Sequence, residues 1–241
     1  MTIDDLNVEI YYDGSDRIFD YIDQVDGVTT NIGFLKKSGI ADYSKFISDT
    51  ISANKDKKPI SFQVFAKNMY EAEKQALKIA SFSKDIFVKV PIIGPYGESF
   101  APLVKKLVFL HGLNINVTSV YTKDQIDELS FLNETDSTTI VSIFCGRIGD
   151  TGHQPLDIMD YAVSKFRNND YVKTLWAGCQ RVHDIILADE AGCDIITVPE
   201  GVLKKVDRLG KSLHDFSLST SYDFYMDGSE LSLSVGENKN G

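Results

Sequence analysis

The chain has 241 residues, 43% of them hydrophobic, which is enough to bury the core of one large α/β domain or of two smaller ones. Its 25 basic residues against 35 acidic ones give a net charge of −10, which argues against a nucleic acid or an anionic membrane surface as the partner. The acidic start MTIDDLNVEIYYDG lacks the regions of a signal peptide, and no apolar run approaches the ~20 residues of a membrane helix, so we predict a soluble, cytoplasmic protein.

Short apolar runs rich in β-branched residues alternate with segments of helical periodicity, which predicts parallel strands joined by crossover helices. The predicted strands are 7–13, 26–31, 60–66, 86–91, 114–120, 138–144, 173–177 and 194–198. The predicted helices are 41–54, 68–82, 97–111, 155–168 and 179–190. Eight strands favour an α/β fold of the TIM (β/α)8 barrel type over a doubly wound open sheet, whose GxGxxG motif the sequence lacks.

The pattern changes after residue 209, so we predict a barrel domain over 1–209 and a C-terminal helical segment with a polar tail over 210–241. Residues 210–226 carry more apolar side chains than a solvated tail tolerates. They are predicted to pack on the barrel or on a neighbouring subunit. The end GSELSLSVGENKNG is polar and glycine-bearing, which is typical of a frayed or disordered tail.

The cysteines and histidines do not form a recognisable metal or disulfide pattern. Cys145, Cys179 and Cys193 are odd in number and lack CxxC spacing, so we predict that they are reduced core residues. The four histidines are scattered and form no HExxH pair. The sequence therefore predicts neither a metal nor another cofactor.

A lysine stands in an apolar strand at Lys89, within the run DIFVKVPIIG. Side chains alternate along a strand, so Phe87 and Lys89 share one face while Val88 lies on the other. A buried ammonium group is costly, and burial lowers the pKa of a lysine from about 10.4 toward neutrality, where the free amine attacks carbonyl carbon. The alternative is a structural lysine that reaches solvent from the strand end or pairs with a carboxylate.

Polar side chains recur at the ends of the other predicted strands, several of them in pairs two residues apart, which keeps each pair on one face of its strand. In a barrel these strand ends converge on the C-terminal mouth, where barrel enzymes place their chemistry. Taken singly, threonine and asparagine at a strand end are usually turn formers. The set comprises Asp13, Thr29, Asn31, Gln63, Asn116, Thr118, Ser142 and Arg147, and the apolar Phe144 lies two residues after Ser142.

Several segments follow one another in the order and spacing of the transaldolase family, including its small fructose-6-phosphate aldolase-like members. They are VDGVTTN, DIFVKVP, HGLNINVTSVYT, FCGRIGD and LADEAGCDIITVP, and the resemblance spans about residues 7–205. It implies class I chemistry on a (β/α)8 barrel, without a cofactor. Lys89 matches the Schiff-base lysine of the family.

The resemblance also implies roles for the other candidates. Asp13 matches the carboxylate that removes the C4-hydroxyl proton as the C3–C4 bond breaks, and Thr118 matches the threonine of the catalytic water site. Gln63 stands where transaldolases have glutamate and the aldolase-like members have glutamine. Asn31 and Asn116 match amides that hold hydroxyls of the donor. The residues expected to bind substrate are Thr29, Asn31, Asn116, Ser142, Phe144, Arg147 and Arg181, with Arg147 matching the phosphate ligand of the family.

Departures from the family pattern leave alternatives open. Phe144 stands where aldolase-like members have tyrosine and transaldolases have phenylalanine, which favours group transfer, whereas Gln63 favours aldol cleavage. Asn-Ile-Gly at 31–33 replaces Asn-Pro-Ser. Gly178 and Gln180 replace a serine and a basic residue of the phosphate cradle, so an unphosphorylated acceptor is an alternative.

The main hypothesis is a transaldolase-type transferase that moves a dihydroxyacetone unit from a ketose or ketose phosphate to an aldose through a Schiff base on Lys89. A fructose-6-phosphate aldolase-type lyase that releases the same intermediate is the first alternative. A barrel that binds a sugar phosphate without turnover is the second. The expected partner is a small sugar or sugar phosphate, and the chain is expected to form a homo-oligomer.

Overall fold

The computed structural model describes residues 2–229 and 231, which fold around a closed barrel of parallel strands. Each strand pairs with the next one along the chain, and β8 closes the ring by pairing with β1. The strands are β1 (Glu9–Asp13), β2 (Gly27–Thr29), β3 (Ile60–Gln63), β4 (Phe87–Pro91), β5 (Ile115–Val120), β6 (Thr139–Ile143), β7 (Val172–Trp176) and β8 (Ile195–Val198). The predicted TIM (β/α)8 barrel is confirmed, and each predicted strand is present with slightly different ends.

Helices lie between successive strands and after the last one. They are α1 (Ile18–Tyr21), α2 (Ile32–Lys37), α3 (Tyr43–Ala53), α4 (Met69–Ala80), α5 (Ala101–Phe109), α6 (Lys123–Glu128), α7 (Cys145–Asp150), α8 (Pro155–Phe166), α9 (Val182–Glu190), α10 (Glu200–Leu203) and α11 (Leu213–Gly228). Short 3-10 turns lie at Ile3–Asp5, Ile22–Gln24, Ser130–Glu134 and Val206–Arg208. The predicted helices correspond to α3, α4, α5, α8 and α9. The helices α2, α6 and α7 have only 6 residues each, too few to display a helical period in the sequence.

The barrel interior changes character along its axis. Its lower part contains a cluster of buried apolar side chains contributed by five of the eight strands. These are Tyr11, Phe87, Ile140, Leu175 and Ile195. A second, larger apolar core lies between the outer faces of the strands and the helices. Above this apolar layer, polar side chains line a cavity at the carboxyl ends of the strands.

Strand β5 contains a bulge on its way to this polar end. Val117 pairs with Val141 and Val120 pairs with Ile143, so three steps along β5 oppose two steps along β6. The extra residue changes which side chains face inward, because a bulge shifts the two-residue alternation by one position. Beyond the bulge, Val120 belongs to the outer core rather than to the barrel interior.

The C-terminal helix α11 differs from the other long helices. Against the described residues its apolar side chains stay exposed, with Leu213 at 88%, Phe224 at 72% and Tyr225 at 71%. The predicted helix is present, but the structure does not pack its apolar side chains onto the barrel. Most of the predicted polar tail, residues 230 and 232–241, lies outside the described residues. In the part of the chain that is described, no helix is long and apolar enough to cross a membrane.

Candidate active site

A cavity of about 430 Å³ opens at the carboxyl ends of the barrel strands. This is the end of the barrel at which TIM-barrel enzymes carry their active sites. Several strands and the loops that follow them contribute to its wall. The predicted site residues that line it are Asp13, Asn31, Gln63, Lys89, Thr118, Phe144 and Arg147.

Lys89 is the third residue of β4 and is only 5% exposed. It lies in register between Gln63 of β3 and Asn116 of β5. Its Nζ donates a 3.3 Å hydrogen bond to the carbonyl oxygen of Thr30. Burial lowers the pKa of Lys89, and the negative charge of Asp13 partly opposes this effect. The amine is therefore held closer to its neutral, nucleophilic form than a surface lysine would be.

Asp13 ends β1 and is held by a hydroxyl group of β2, which is itself bonded to a hydroxyl group of β8. The Thr29 hydroxyl donates a 3.0 Å hydrogen bond to Asp13 Oδ1 and makes a second, short bond with the Thr197 hydroxyl of β8. Because Thr29 has a single hydroxyl proton, Thr197 must be the donor in that second bond. Burial raises the pKa of Asp13, while Lys89 and the Thr29 hydrogen bond lower it. A carboxylate with a raised pKa is a stronger base, suited to take a proton from a bound hydroxyl.

Gln63 and Thr118 flank Lys89 from neighbouring strands. Gln63 ends β3, and its carbonyl oxygen accepts a 3.0 Å hydrogen bond from the Tyr43 hydroxyl, which fixes the backbone there. The buried Thr118 hydroxyl finds no hydrogen-bond partner among residues 2–229 and 231. A buried polar group without a partner is costly, so this hydroxyl is suited to bind a water molecule or a substrate group. Gln63 and Thr118 can thus hold a water molecule beside Lys89.

Asn31 serves as the N-cap of α2. Its Oδ1 accepts a 3.0 Å hydrogen bond from the Phe34 N–H, which satisfies one of the free amides at the start of the helix. This bond fixes the orientation of the side-chain amide, so the Nδ2 group is left to donate. Asn31 can therefore act toward a ligand in the cavity as a hydrogen-bond donor.

Asn116 and Ser142 lie beneath the cavity, almost fully buried. The Ser142 hydroxyl donates a 2.7 Å hydrogen bond to Asn116 Oδ1, and Asn116 Nδ2 donates a 3.0 Å bond to the Ser61 hydroxyl. This chain of bonds links β6, β5 and β3 through the barrel interior. Neither Asn116 nor Ser142 is among the residues that line the cavity in the described part of the chain. That they contact substrate stays a prediction.

Phe144 and Arg147 form another side of the cavity, at the start of α7. Phe144 stacks on Tyr121, with ring centroids 5.4 Å apart and 28° between the ring planes. The start of α7 lies so close to the loop after β7 that a Cβ atom at Gly146 would be 1.8 Å from the Gly178 carbonyl oxygen. Gly178 itself has a φ of 77°, which favours glycine. This backbone contact positions the exposed Arg147 at the edge of the cavity.

Arg181 lies apart from the other predicted site residues. Its Nη2 makes a 3.0 Å ion pair with Asp184 Oδ1 at the start of α9. The Gln180 side chain likewise turns away, toward Asp150 at 3.3 Å. Both border a separate cavity of about 470 Å³ between α7, α8 and α9. The prediction grouped Arg181 with the substrate-binding residues, and the structure does not bring it there because Asp184 holds the guanidinium.

Three hydroxyl-bearing residues that the sequence did not single out also line the cavity: Thr197, Ser119 and Tyr121. Thr197 is the one polar residue in the β8 run IITV, so strand alternation could have identified it. Ser119 lies in the β5 bulge and Tyr121 follows it. The bulge breaks the alternation, and nothing in INVTSVY signals it.

Known proteins with a similar sequence share most of their length with this chain. Residues 2–233 match the family described as Transaldolase/Fructose-6-phosphate aldolase. A probable transaldolase from Bdellovibrio bacteriovorus is 31% identical over 183 residues, which cover 76% of this chain and 80% of the relative. A probable transaldolase from Petrotoga mobilis is 29% identical over 185 residues, covering 76% of this chain and 77% of the relative.

Solved structures with a similar backbone are more distant in sequence. Dihydrodipicolinate synthase from Thermotoga maritima is 14% identical, with a TM-score of 0.57, and the match covers 92% of this chain and 81% of that one. A mutant tryptophan synthase α-subunit from Pyrococcus furiosus is 12% identical, with a TM-score of 0.58, covering 88% of this chain and 95% of that one. These two likenesses show the barrel fold alone. The family match over nearly the whole sequence shows more: the chain belongs to the transaldolase/fructose-6-phosphate aldolase family.

Proposed function

We propose that the protein is a transaldolase-type transferase that moves a dihydroxyacetone unit from a ketose to an aldose, with Lys89 as its Schiff-base residue. The observation that carries the proposal is the pair formed by Lys89 and Asp13. A buried amine with a lowered pKa and a carboxylate with a raised pKa face one cavity. Membership of the family supports the reaction class.

In the first half of the reaction, Lys89 Nζ attacks the C2 carbonyl carbon of the ketose. A water molecule held between Gln63 and Thr118 moves protons as the carbinolamine loses water and becomes an imine. Asp13 then takes the proton of the C4 hydroxyl, and the C3–C4 bond breaks. Its electron pair moves into the iminium, so an aldose leaves and a dihydroxyacetone enamine stays on Lys89.

In the second half, the nucleophilic carbon of the enamine attacks the aldehyde carbon of an acceptor aldose and forms a new C–C bond. Asp13 returns the proton to the new alkoxide, and water hydrolyses the imine to release the new ketose and free Lys89. The amide of Asn31, whose Oδ1 caps α2, donates to a hydroxyl of the bound donor.

The charges at the cavity edge bear on the phosphate state of the acceptor. Arg147 supplies a cation that can hold a phosphate group. Arg181 is paired with Asp184 beside a separate cavity, and the neutral side chain of Gln180 turns toward Asp150, so neither adds to that charge. We propose a sugar phosphate as the first choice of substrate and an unphosphorylated acceptor as the second.

Borohydride reduction in the presence of dihydroxyacetone or a ketose tests the chemistry. We expect a covalent adduct that peptide mass mapping locates on Lys89, and no adduct in Lys89→Met. Lys84→Met, a substitution of an exposed lysine just before the same strand, is the matched control and should form the adduct normally. No adduct with any of several ketoses would contradict the proposal and leave a sugar-binding barrel without turnover.

A second assay separates transfer from simple cleavage. The enzyme is given fructose 6-phosphate with and without an acceptor aldose. A transferase holds the enamine until the acceptor arrives, so turnover should require the acceptor. Steady release of free dihydroxyacetone without an acceptor would instead assign the aldolase-type lyase reaction.

We also propose a cytoplasmic homo-oligomer, with a barrel domain over 1–209 and a C-terminal extension over 210–241. The three cysteines are free and buried, which fits a reducing compartment. The exposed apolar side chains of α11 fit burial against another copy of the chain.

A further inference from the structure

Ser119 in the cavity wall has a backbone conformation that is rare for its residue type. Its φ is 62°, in the left-handed region that residues with a Cβ atom adopt at an energetic cost. Ser119 lies in the β5 bulge, between the pairs Val117–Val141 and Val120–Ile143. Strained residues of this kind concentrate at functional sites, and bulges often redirect a side chain there.

The bulge changes what the cavity wall is made of. Before it, Asn116 and Thr118 face the barrel interior, and unbroken alternation would point Val120 inward as well. Instead, Val120 packs in the outer core and Tyr121 faces the cavity. Ser119 lines the same cavity directly beside Thr118. Two neighbouring hydroxyls therefore come from one strand, followed by an aromatic ring.

The Ser119 hydroxyl is free to bind a ligand. It is half-buried in the cavity wall and forms no side-chain hydrogen bond with any described residue. The neighbouring Thr118 hydroxyl is without a partner as well, within the same residues. A glycine would adopt this φ without strain, so the serine adds a hydrogen-bonding group that the backbone does not need.

We propose that Ser119 contacts the substrate and binds a hydroxyl group of the acceptor aldehyde; this inference rests on the proposed transferase function. Asn116 is level with Lys89, and Ser119 lies further along β5 toward the mouth. It therefore faces the part of the sugar beyond the donor carbons held on Lys89. A serine hydroxyl both donates and accepts, so it selects for the presence of a hydroxyl rather than for charge.

The test compares two acceptors with dihydroxyacetone as the donor: glyceraldehyde, which carries hydroxyls beside its aldehyde, and propanal, which does not. For the wild type and Ser119→Ala we measure kcat/KM with each acceptor. We expect the preference for glyceraldehyde to fall about fivefold in Ser119→Ala, the order expected for one lost neutral hydrogen bond. An equal loss with both acceptors, or no loss, would overturn the inference.

Two further variants separate the hydroxyl from the backbone. Ser119→Gly removes the hydroxyl and also relieves the strain, so it should lose the same preference while raising Tm. If Ser119→Gly keeps the wild-type preference, the effect of Ser119→Ala comes from the backbone and the inference is wrong. Lys57→Gly is the matched control, because Lys57 has a φ of 53° and lies outside the cavity. It should raise Tm without changing the preference.

Borohydride trapping of dihydroxyacetone is measured first on every variant. An adduct on Lys89 together with an unchanged acceptor preference in Ser119→Ala would overturn this inference while leaving the proposed function intact. No adduct in the wild type would overturn both.

Discussion

Asp13 and Lys89 titrate as a pair, because the charge of each changes the pKa of the other. The Asp13 carboxylate favours the ammonium form of Lys89 and so raises its pKa. In Asp13→Asn that support is lost, and the pKa of Lys89 falls further below its ordinary value. We therefore expect borohydride trapping with dihydroxyacetone to persist to lower pH than in the wild type.

The control for this pH shift is Glu73→Gln. Glu73 is a carboxylate paired with Lys106 away from the cavity. Its loss should not change the pH below which borohydride trapping fails. If trapping by Asp13→Asn instead fails at a higher pH than in the wild type, the Asp13 carboxylate does not raise the pKa of Lys89.

Burial of Lys89 also gives the stability of the protein a pH dependence. Its pKa is lowered in the folded state, so between that value and about 10.4 the unfolded chain binds more protons than the folded one. Stability then rises with pH across this window. Lys89→Met lacks this contribution, so its Tm relative to the wild type should decline as pH rises toward 10. A difference in Tm that stays constant over that range would contradict the assignment.

At the scale of elements, the contact between α7 and the loop after β7 sets one edge of the cavity. A Cβ atom at Gly146 would lie 1.8 Å from the Gly178 carbonyl oxygen. Neither atom can move away by rotation of a side chain, because the oxygen is a backbone atom and the Cβ atom is bonded directly to the backbone. Gly146→Ala must therefore separate the two segments, at a cost of about 1–3 kcal/mol by analogy with overpacked cores. We expect lower Tm and lower kcat/KM, because Arg147 moves with α7.

Gly149→Ala is the matched control within the same helix. Its Cβ atom would meet only the Pro155 side chain, at 3.6 Å, an ordinary contact. Alanine is favoured over glycine in a helix by roughly 0.5–1 kcal/mol, so this variant should be as stable as the wild type or more so, with full activity. Equal damage from both substitutions would show that α7 tolerates no side chain at either position.

The elements that could be predicted from the sequence are those with a strong periodic signal. The strands read as continuous apolar runs because both of their faces are buried in a barrel, and Lys89 stood out against that background. The helix α7 was missed because it is short, and the β5 bulge was missed because a serine, not a glycine, adopts its left-handed backbone. The Arg181 side chain does not reach the predicted site because it pairs with Asp184, and residue spacing does not reveal this pairing.

At the scale of the whole molecule, the exposed helix α11 sets the expectation for assembly. Its large apolar side chains remain 40% exposed or more in the described part of the chain. We expect a mass by light scattering that is a multiple of the 26.9 kDa of one chain. Replacing Leu218, Tyr222 and Tyr225 by serine should lower that mass, because burial of these side chains drives the association.

The control for assembly is Tyr96→Ser, at an exposed aromatic residue in the loop after β4. It should leave the mass unchanged. A triple α11 variant with the same mass as the wild type would show that another surface joins the copies, and a wild-type mass of 26.9 kDa would contradict assembly itself.

The solid lower interior of the barrel also constrains the kinetics. Tyr11, Phe87 and their apolar neighbours close the barrel beneath Lys89, so the cavity is reached from the carboxyl ends of the strands. In the proposed reaction, the outgoing aldose and the incoming aldose then use the same opening in turn. The order of events is therefore ping-pong: the first product must depart before the second substrate can enter. An abundant product aldose competes with the acceptor for the enamine, and its addition to the enamine re-forms the donor ketose.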